Sequence, residues 1–306
     1  MLALVNTPDG EAPAELSEVE EPTAAPSETV VEVRTFSLNR GELALLANRP
    51  EGWRPGQDIA GVVTEEATDG SGPGASARVV CLVDEAGWAQ RVAAPTSRLA
   101  VLPEGVSFAA ATLPIAGLTA LRTLRLGGPL LGRSVLVTGA SGGVGRFAVQ
   151  LAARAGASVT GVVGSPERGE GLEELGASQI VTGAEEAEGA FDLILESVGG
   201  DSLAAAVEHI APGGTVVIFG NTSGERTPLS FYDFFGHEGV RLQTFFSYAS
   251  GTPESIGEDL AILASLVSTG DLTPQVGMEA SWRELGEAVA ALSERRVSGK
   301  AVLHVD

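Results

Sequence analysis

The sequence is short of cysteine, histidine and lysine. Its 306 residues include one cysteine, Cys81, one lysine, Lys300, and three histidines. A single cysteine excludes internal disulfides, suits a reducing compartment and cannot build a zinc site that needs several thiolates. The lone lysine stands against many arginines in a chain rich in alanine, glycine and glutamate, which is consistent with codon bias.

Long apolar runs and a positive charge balance are also absent. No run approaches the roughly 20 apolar residues that span a bilayer, and residues 1–10 lack the basic and apolar segments of a signal peptide. The net charge of −21 argues against nucleic acid or an anionic membrane surface as partner. We therefore expect a cytoplasmic globular protein in which local groups hold any anionic cofactor.

The main motif is a glycine-rich turn between a predicted strand and a predicted helix. Strand residues Val135–Thr138 lead into Ala140-x-Gly142-x-x-Gly145, an apolar stripe at helical spacing follows, and a second strand is predicted at 158–163. Such a βαβ unit lets backbone N–H groups approach a pyrophosphate at a helix N-terminus. A turn that is glycine-rich only for packing is the alternative.

The chain divides into a β-rich part and a part in which strands and helices alternate. Short strands dominate the first hundred residues, whereas six regularly spaced strands from 135 onward indicate a doubly wound parallel sheet. The last strand, at 300–305, is expected to return to the first domain. The predicted domains are 1–111 with 272–306, and 112–271. The strands are predicted at 135–138, 158–163, 179–182, 191–196, 214–219 and 241–246, and the helices at 143–156, 166–175, 201–211 and 254–269.

The tip of the second strand bears on the choice of cofactor. It reads Gly164-Ser165-Pro166-Glu167-Arg168, with no carboxylate at the strand end to receive a ribose hydroxyl. Ser165 and Arg168 could instead donate to a 2′-phosphate, which favours NADPH. The alternative is that Arg168 is an exposed residue of a helix's first turn.

Taken together, these features resemble the medium-chain dehydrogenase/reductase superfamily. The resemblance includes Ala116-Gly117-Leu118-Thr119-Ala120-Leu121 before the alternating part and Gly299-Lys300-Ala301-Val302-Leu303 at the end. It implies an α/β fold with a GroES-like β-rich catalytic domain and a Rossmann domain of six parallel strands. Three motifs look like those of the zinc-free quinone oxidoreductase branch: Ala140-Ser141-Gly142-Gly143-Val144-Gly145, Glu196-Ser197-Val198-Gly199-Gly200 and Phe219-Gly220-Asn221-Thr222-Ser223-Gly224.

No metal site is expected. Where zinc-dependent relatives carry Gly-His-Glu, this chain reads Gly56-Gln57-Asp58. The tripeptide Gly236-His237-Glu238 follows the fifth Rossmann strand and is interpreted as coincidence. Cys81 ends an apolar strand and is expected to be an inert core thiol.

The resemblance also implies a set of cofactor-binding residues. The glycine-rich turn would cover the pyrophosphate, the end of the second strand would hold the adenosine phosphate, and later loops would flank the nicotinamide half. The residues implied are Arg40, Thr119, Ser141, Gly142, Gly143, Val144, Gly145, Gly164, Ser165, Arg168, Ser197, Val198, Phe219, Gly220, Asn221, Thr222, Phe245 and Phe246.

Asn39 is the candidate catalytic residue, because it matches an asparagine in the active-site cleft of this family. An asparagine before an apolar run also commonly caps a helix, and that role is the alternative. Two departures from the family concern tyrosines: Ala44 stands where many relatives place one near the substrate, and Gly183 replaces one that often touches the 2′-phosphate. The reaction's proton is therefore expected to come from solvent.

The resemblance implies hydride transfer from NADPH to a quinone or an α,β-unsaturated carbonyl. Conjugated acceptors suit a site without a Lewis acid, since hydrogen-bond donors can meet the charge on their oxygen. A dedicated enoyl reductase of a biosynthetic pathway and a redox-silent NADPH-binding protein are the alternatives. The sixth strand, at 241–246, is expected to form an open sheet edge, which predicts a homodimer.

Overall fold

The computed structural model describes residues 1–10, 12–247 and 255–306. The strands in these ranges are β1 (Leu2–Asn6), β2 (Ala14–Glu18), β3 (Glu28–Leu38), β4 (Asp58–Glu65), β5 (Arg78–Leu82), β6 (Arg91–Pro95), β7 (Leu99–Val101), β8 (Ser134–Thr138), β9 (Ser158–Val162), β10 (Gln179–Val181), β11 (Phe191–Glu196), β12 (Ile210–Ile218), β13 (Arg241–Thr244), β14 (Val276–Ser281) and β15 (Lys300–His304). The α-helices are α1 (Arg40–Asn48), α2 (Leu118–Leu126), α3 (Gly143–Arg154), α4 (Gly200–Glu208), α5 (Ile256–Ser268) and α6 (Leu285–Ser293). None of these helices is long and apolar enough to cross a membrane.

The chain divides into two compact units. One comprises Met1–Leu118 with Thr252–Asp306, and the other comprises Thr119–Gly251. We call them the β-rich unit and the Rossmann unit. The first boundary lies at 118, where 112 was predicted. The second lies before the predicted position near 271, because α5 packs against β7 and the short turn Thr96–Arg98 of the β-rich unit. Position 254, the predicted start of that helix, lies outside the described residues.

The β-rich unit is built on one seven-stranded sheet. Its strand order is β14-β15-β3-β4-β5-β7, and β6 also pairs with β3. The expected return of the last strand is confirmed, since β15 runs antiparallel to β3 with Ala301 opposite Leu38. Phe36 stacks on Trp88 in the core with ring centroids 5.4 Å apart. Strands from both ends of the chain thus share one hydrophobic core.

The Rossmann unit contains six parallel strands, as predicted. Their order is β10-β9-β8-β11-β12-β13, so the first strand in sequence lies at the centre and the order reverses beside it. Val135, Leu136 and Val137 of β8 are fully buried, as expected for a central strand of a parallel sheet. The carboxyl ends of β8, β9 and β11 therefore point to the same edge.

The predicted helix at 166–175 is wrong. Only the single 3-10 turn Pro166–Gly169 forms there. Gly171 has a left-handed φ of 77°, which ends helical geometry. Gly169 packs closely on β10, where an added Cβ would lie 2.9 Å from Cγ2 of Ile180. The backbone of this segment therefore packs directly on β10, which leaves no room for a helix here.

Candidate cofactor and active site

The turn between β8 and α3 forms a cradle of bare backbone. Gly142 is the N-cap of α3, and the helix begins at Gly143. A Cβ on Gly145 would lie 2.4 Å from the carbonyl oxygen of Gly139, so only glycine lets the helix pack on the turn. The N–H groups of Gly143, Val144 and Gly145 have no acceptor within the helix, because they belong to its first turn. This end of α3 can bind an anion.

The end of β9 contributes a cation to this cradle. Nε of Arg168 donates to Oγ of Ser141 at 3.1 Å, and the backbone N–H of Arg168 donates to the carbonyl of Ser165 at 3.1 Å. Ser141 is buried and Arg168 is half-buried. Space is open beside Gly164, where a Cβ would meet no atom within 4 Å. Ser141, Gly164, Ser165 and Arg168 thus lie in one small region.

A second arginine, which was not predicted as a site residue, lies beside the cradle. Arg146 lies in α3 directly after the last fingerprint glycine, is 9% exposed and donates through Nη2 to the carbonyl of Glu170 at 2.7 Å. Burial lowers the pKa of Arg146, and the charge of Arg168 lowers it further. The charges of Glu170 and Glu174 act in the opposite direction. An arginine immediately after Gly-x-x-Gly was the signal that could have found it.

Glu196 organises the loop that follows β11. This fully buried carboxylate accepts hydrogen bonds from the backbone N–H groups of Val198 and Gly199, each at 3.0 Å, and from Oγ1 of Thr138 at 3.1 Å. Burial raises its pKa, and these donors oppose the rise. The carboxylate therefore ties the ends of β8 and β11 to the residues that lead into α4. Glu196 begins one of the predicted motifs, but this role was not predicted from the sequence.

Two predicted cofactor loops are hydrogen-bonded to each other. The N–H of Phe219 donates to the carbonyl of Glu196 at 2.9 Å, and the N–H of Thr222 donates to the carbonyl of Ser197 at 3.1 Å. The loops after β11 and β12 thus form one ledge at the carboxyl edge of the sheet. This ledge holds Ser197, Val198, Phe219, Gly220, Asn221 and Thr222.

The remaining candidates of the Rossmann unit differ in exposure. Thr119 is buried in α2, where its carbonyl accepts a hydrogen bond from Oγ1 of Thr123 at 2.7 Å. Phe245 is buried, and its N–H extends the ladder by donating to the carbonyl of Ile218 at 2.9 Å. Phe246 is 64% exposed. The two phenylalanines therefore have different surroundings, although they are adjacent.

In the β-rich unit, Asn39 belongs to a buried polar cluster. Its Nδ2 donates to Oδ2 of Asp58 at 2.9 Å, and its Oδ1 accepts from Nζ of Lys300 at 2.5 Å. Nζ of Lys300 also donates to Oδ2 of Asp58 at 3.1 Å, and Oγ of Ser37 lies 2.9 Å from the same oxygen. Asp58 and Ser37 are fully buried, Lys300 is 3% exposed and Asn39 is 8% exposed.

Glu42 lies next to this cluster and fixes the start of α1. Asn39 is the N-cap residue of the helix, and its backbone N–H donates to Oε2 of Glu42 at 2.8 Å. The N–H of Gln57 donates to Oε1 at 3.1 Å. Burial and then the charge of Asp58 raise the pKa of Glu42 to about 8, against the opposing effect of the N–H donors and Lys300. Arg40, a predicted cofactor residue, donates through Nη2 to the carbonyl of Leu292 in α6 at 2.9 Å.

Known proteins match this chain over most of its length. The zinc-binding dehydrogenase family model matches residues 143–265. The quinone oxidoreductase of Pseudomonas aeruginosa is 32% identical over 220 residues, which are 67% of this chain and 67% of that protein. The chain belongs to the quinone oxidoreductase-like branch of the medium-chain dehydrogenase/reductase superfamily. It is an oxidoreductase.

This oxidoreductase also resembles a polyketide synthase protein and an oxidoreductase of known structure. A spectinabilin polyketide synthase protein of Streptomyces orinoci is 34% identical over 292 residues, or 91% of this chain. The chain spans only 13% of that synthase's length. The structure of an oxidoreductase from Salmonella enterica in complex with NADP is 26% identical, covers all of both chains and has a TM-score of 0.82.

The residues at the family's metal position do not fit zinc. Gln57 is a weak metal ligand, and its amide donates to the carbonyl of Asp84 at 3.3 Å. The carboxylate of Asp58 is bonded to the ammonium of Lys300, whose charge would repel a metal ion. Burial raises the pKa of the Cys81 thiol, which disfavours a thiolate ligand. No group of three or more histidine, cysteine, aspartate or glutamate residues within the described ranges could hold a metal ion.

Proposed function

We propose that this oxidoreductase transfers hydride from NADPH to an electron-poor acceptor such as a quinone, an enone or an enal. The observation that carries the proposal is the contact of Arg168 with Ser141 beside the glycine cradle of α3. A cation next to an anion-binding helix end suits a cofactor with a pyrophosphate and a further phosphate. Bound NADPH would supply the hydride.

The Rossmann unit is proposed to bind and orient the cofactor. The first-turn N–H groups of α3 would hold the pyrophosphate, and Arg168 with Arg146 would favour a 2′-phosphate over a free hydroxyl. The ledge formed by the loops after β11 and β12, together with Thr119 and the backbone at Phe245 and Phe246, would flank the nicotinamide half. Orientation is the main catalytic contribution expected here, since hydride transfer depends on near-attack geometry.

The β-rich unit is proposed to supply the donor that meets charge on the acceptor oxygen. One Nδ2 hydrogen of Asn39 is committed to Asp58 at 2.9 Å, whereas the other faces Oε2 of Glu42 at 3.5 Å, the limit of a hydrogen bond. In this proposal the Nδ2 group of Asn39 donates to the acceptor oxygen as that oxygen gains negative charge. Ala44 leaves no tyrosine nearby in sequence, so the proton is proposed to come from solvent, without zinc.

Calorimetry and stopped-flow kinetics test the proposal. Titration with NADPH and NADH should give binding of both nucleotides with a preference for NADPH, and mixing with quinones and enones should oxidise NADPH. If neither nucleotide binds at millimolar concentration, the proposed cofactor site is contradicted. Tight NADPH binding without turnover of any acceptor would instead support a redox-silent NADPH-binding protein.

A dedicated enoyl reductase is a second candidate. The observation that favours it is the 34% identity to a polyketide synthase protein over 91% of this chain. The chemical step is the same, but the acceptor would be an enoyl thioester of a biosynthetic pathway. A kcat/KM for enoyl thioesters far above that for free quinones and enones would select this candidate.

A homodimer in the cytoplasm is the proposed state of the protein. The edge strand β13 pairs on one side with β12, and all four of its residues are exposed. An exposed sheet edge is a template for pairing with another strand. The single cysteine suits the reducing conditions of the cytoplasm.

A further inference from the structure

Lys300 is the only lysine of the chain, and it is buried. The chain has 19 lysine and arginine residues, and the other 18 are arginine. Lys300 is 3% exposed at the first position of β15. Codon bias is consistent with arginine at the other basic positions, but it gives no reason for a lysine in the buried polar cluster that contains Asn39. A specific requirement for an ammonium group at this position is the simpler explanation.

The geometry around Nζ accounts for such a requirement. Three acceptors surround it: the carbonyl of Leu38 at 2.8 Å, Oδ1 of Asn39 at 2.5 Å and Oδ2 of Asp58 at 3.1 Å. An ammonium group carries three N–H donors on one atom, so it can meet all three acceptors at once. A guanidinium is larger and planar, and its donors lie in a fixed fork. Arginine therefore cannot reproduce this arrangement in the same space.

The two charged groups also determine which way the Asn39 carboxamide points. In the observed orientation its oxygen faces the ammonium of Lys300 and its nitrogen faces the carboxylate of Asp58. A flipped carboxamide would place donor against donor and acceptor against acceptor in a buried environment, where both contacts are costly. The pair thus keeps Nδ2 of Asn39 on the side of Asp58 and Oδ1 on the side of Lys300.

We propose that Lys300 is a positioning residue that, with Asp58, holds the Asn39 carboxamide in its donor orientation for the reduction. This inference rests on the proposed function, in which Asn39 meets the acceptor oxygen. In this inference Lys300 does not itself donate to the acceptor, since its three N–H groups donate to Leu38, Asn39 and Asp58.

Steady-state kinetics with NADPH and a quinone test the inference on the full chain. The variants are Lys300→Met, Lys300→Arg, Asn39→Ala and Asn39→Ala/Lys300→Met, and Arg283→Met at an exposed position is the matched control. Lys300→Met should lower kcat roughly 10- to 100-fold while KM for NADPH stays near the wild-type value, because misplacement of a donor costs rate. Lys300→Arg should not restore kcat, and the double variant should be no slower than Asn39→Ala alone.

Two kinetic results would contradict the proposed role of Lys300. Full kcat in Lys300→Arg, or losses that multiply in the double variant, would overturn the inference. If Lys300→Met does not fold, Lys300→Met/Asp58→Asn removes both charges, avoids an unpaired buried carboxylate and should show the same loss of kcat. A wild-type chain that reduces no acceptor would instead overturn the proposed function.

A readout independent of turnover is available because the chain has one lysine. Protein labelled with ¹⁵N-lysine should give one protected side-chain ammonium resonance without cofactor or acceptor, and Asn39→Ala should shift it. A resonance that Asn39→Ala leaves unchanged would contradict the contact on which the inference depends.

Discussion

Glu42 is a fully buried carboxyl group, and its proton couples folding to pH. Its pKa of about 8 in the folded state exceeds the ordinary value of 4.5, first because of burial and then because of Asp58. The folded chain therefore keeps a proton that the unfolded chain releases. The resulting stabilisation is fully present below about pH 4.5 and is lost as the pH rises through about 8.

Glu42→Gln should flatten this dependence. Between pH 5 and 8 the free energy of unfolding of the wild type should fall relative to the variant by up to about 1.4 kcal/mol per pH unit. Urea unfolding at a series of pH values measures the difference. The exposed Glu51→Gln variant should retain the wild-type slope, and equal slopes for wild type and Glu42→Gln would contradict the prediction.

Arg168 is the residue on which the choice between the two nicotinamide cofactors is expected to depend. Arg168→Gln removes the charge that faces Ser141, so we expect KM for NADPH to rise by about tenfold while KM for NADH changes little. Initial rates with each nucleotide measure the ratio. Arg283→Gln carries the same charge change at an exposed site and should affect neither value, whereas equal losses for both nucleotides in Arg168→Gln would argue against a 2′-phosphate site.

Among the elements, the junction of β8 and α3 tolerates little change. Gly145→Ala places a Cβ 2.4 Å from a backbone oxygen, so the helix must move and we expect a loss of about 1–3 kcal/mol of stability together with weaker NADPH binding. Gly286→Ala in α6 is the control, because no atom lies within 4 Å of its added Cβ. It should stabilise by about 0.5–1 kcal/mol. Thermal unfolding and calorimetry compare the two, and a stable, NADPH-binding Gly145→Ala would contradict the expected packing.

The elements also show what the sequence could predict. Strands such as β8 and β11 are short apolar runs bounded by turn residues, so the local sequence pattern was sufficient to predict them. The helix predicted at 166–175 failed because close packing of Gly169 on the sheet is a tertiary effect. The buried cluster could not be foreseen for a related reason: Asn39 and Asp58 are 19 residues apart, and Lys300 lies 242 residues beyond Asp58. Only strand pairing brings them together.

At the scale of the whole molecule, the exposed edge of the Rossmann sheet predicts the state of association. Light scattering at micromolar concentration should give about twice the chain mass of 31.2 kDa. Leu242→Lys on β13, where the leucine is 43% exposed, should shift the protein towards the monomer, because a charged side chain opposes edge pairing. A wild-type mass equal to one chain would contradict the proposed homodimer.

Strand β15 has a consequence for synthesis on the ribosome. The Rossmann unit is contiguous in sequence, whereas the β-rich unit needs β15 beside β3 and the ammonium of Lys300 beside Asp58. The Rossmann unit of a nascent chain can therefore fold before the β-rich unit, although the β-rich unit contains the N-terminus. This order contrasts with the usual one, in which N-terminal domains fold first. Ribosome-arrested chains that end at residue 299 should resist limited proteolysis across 119–247 and be cleaved within 1–118. Protection of both regions would show that the last strand is dispensable for that early state.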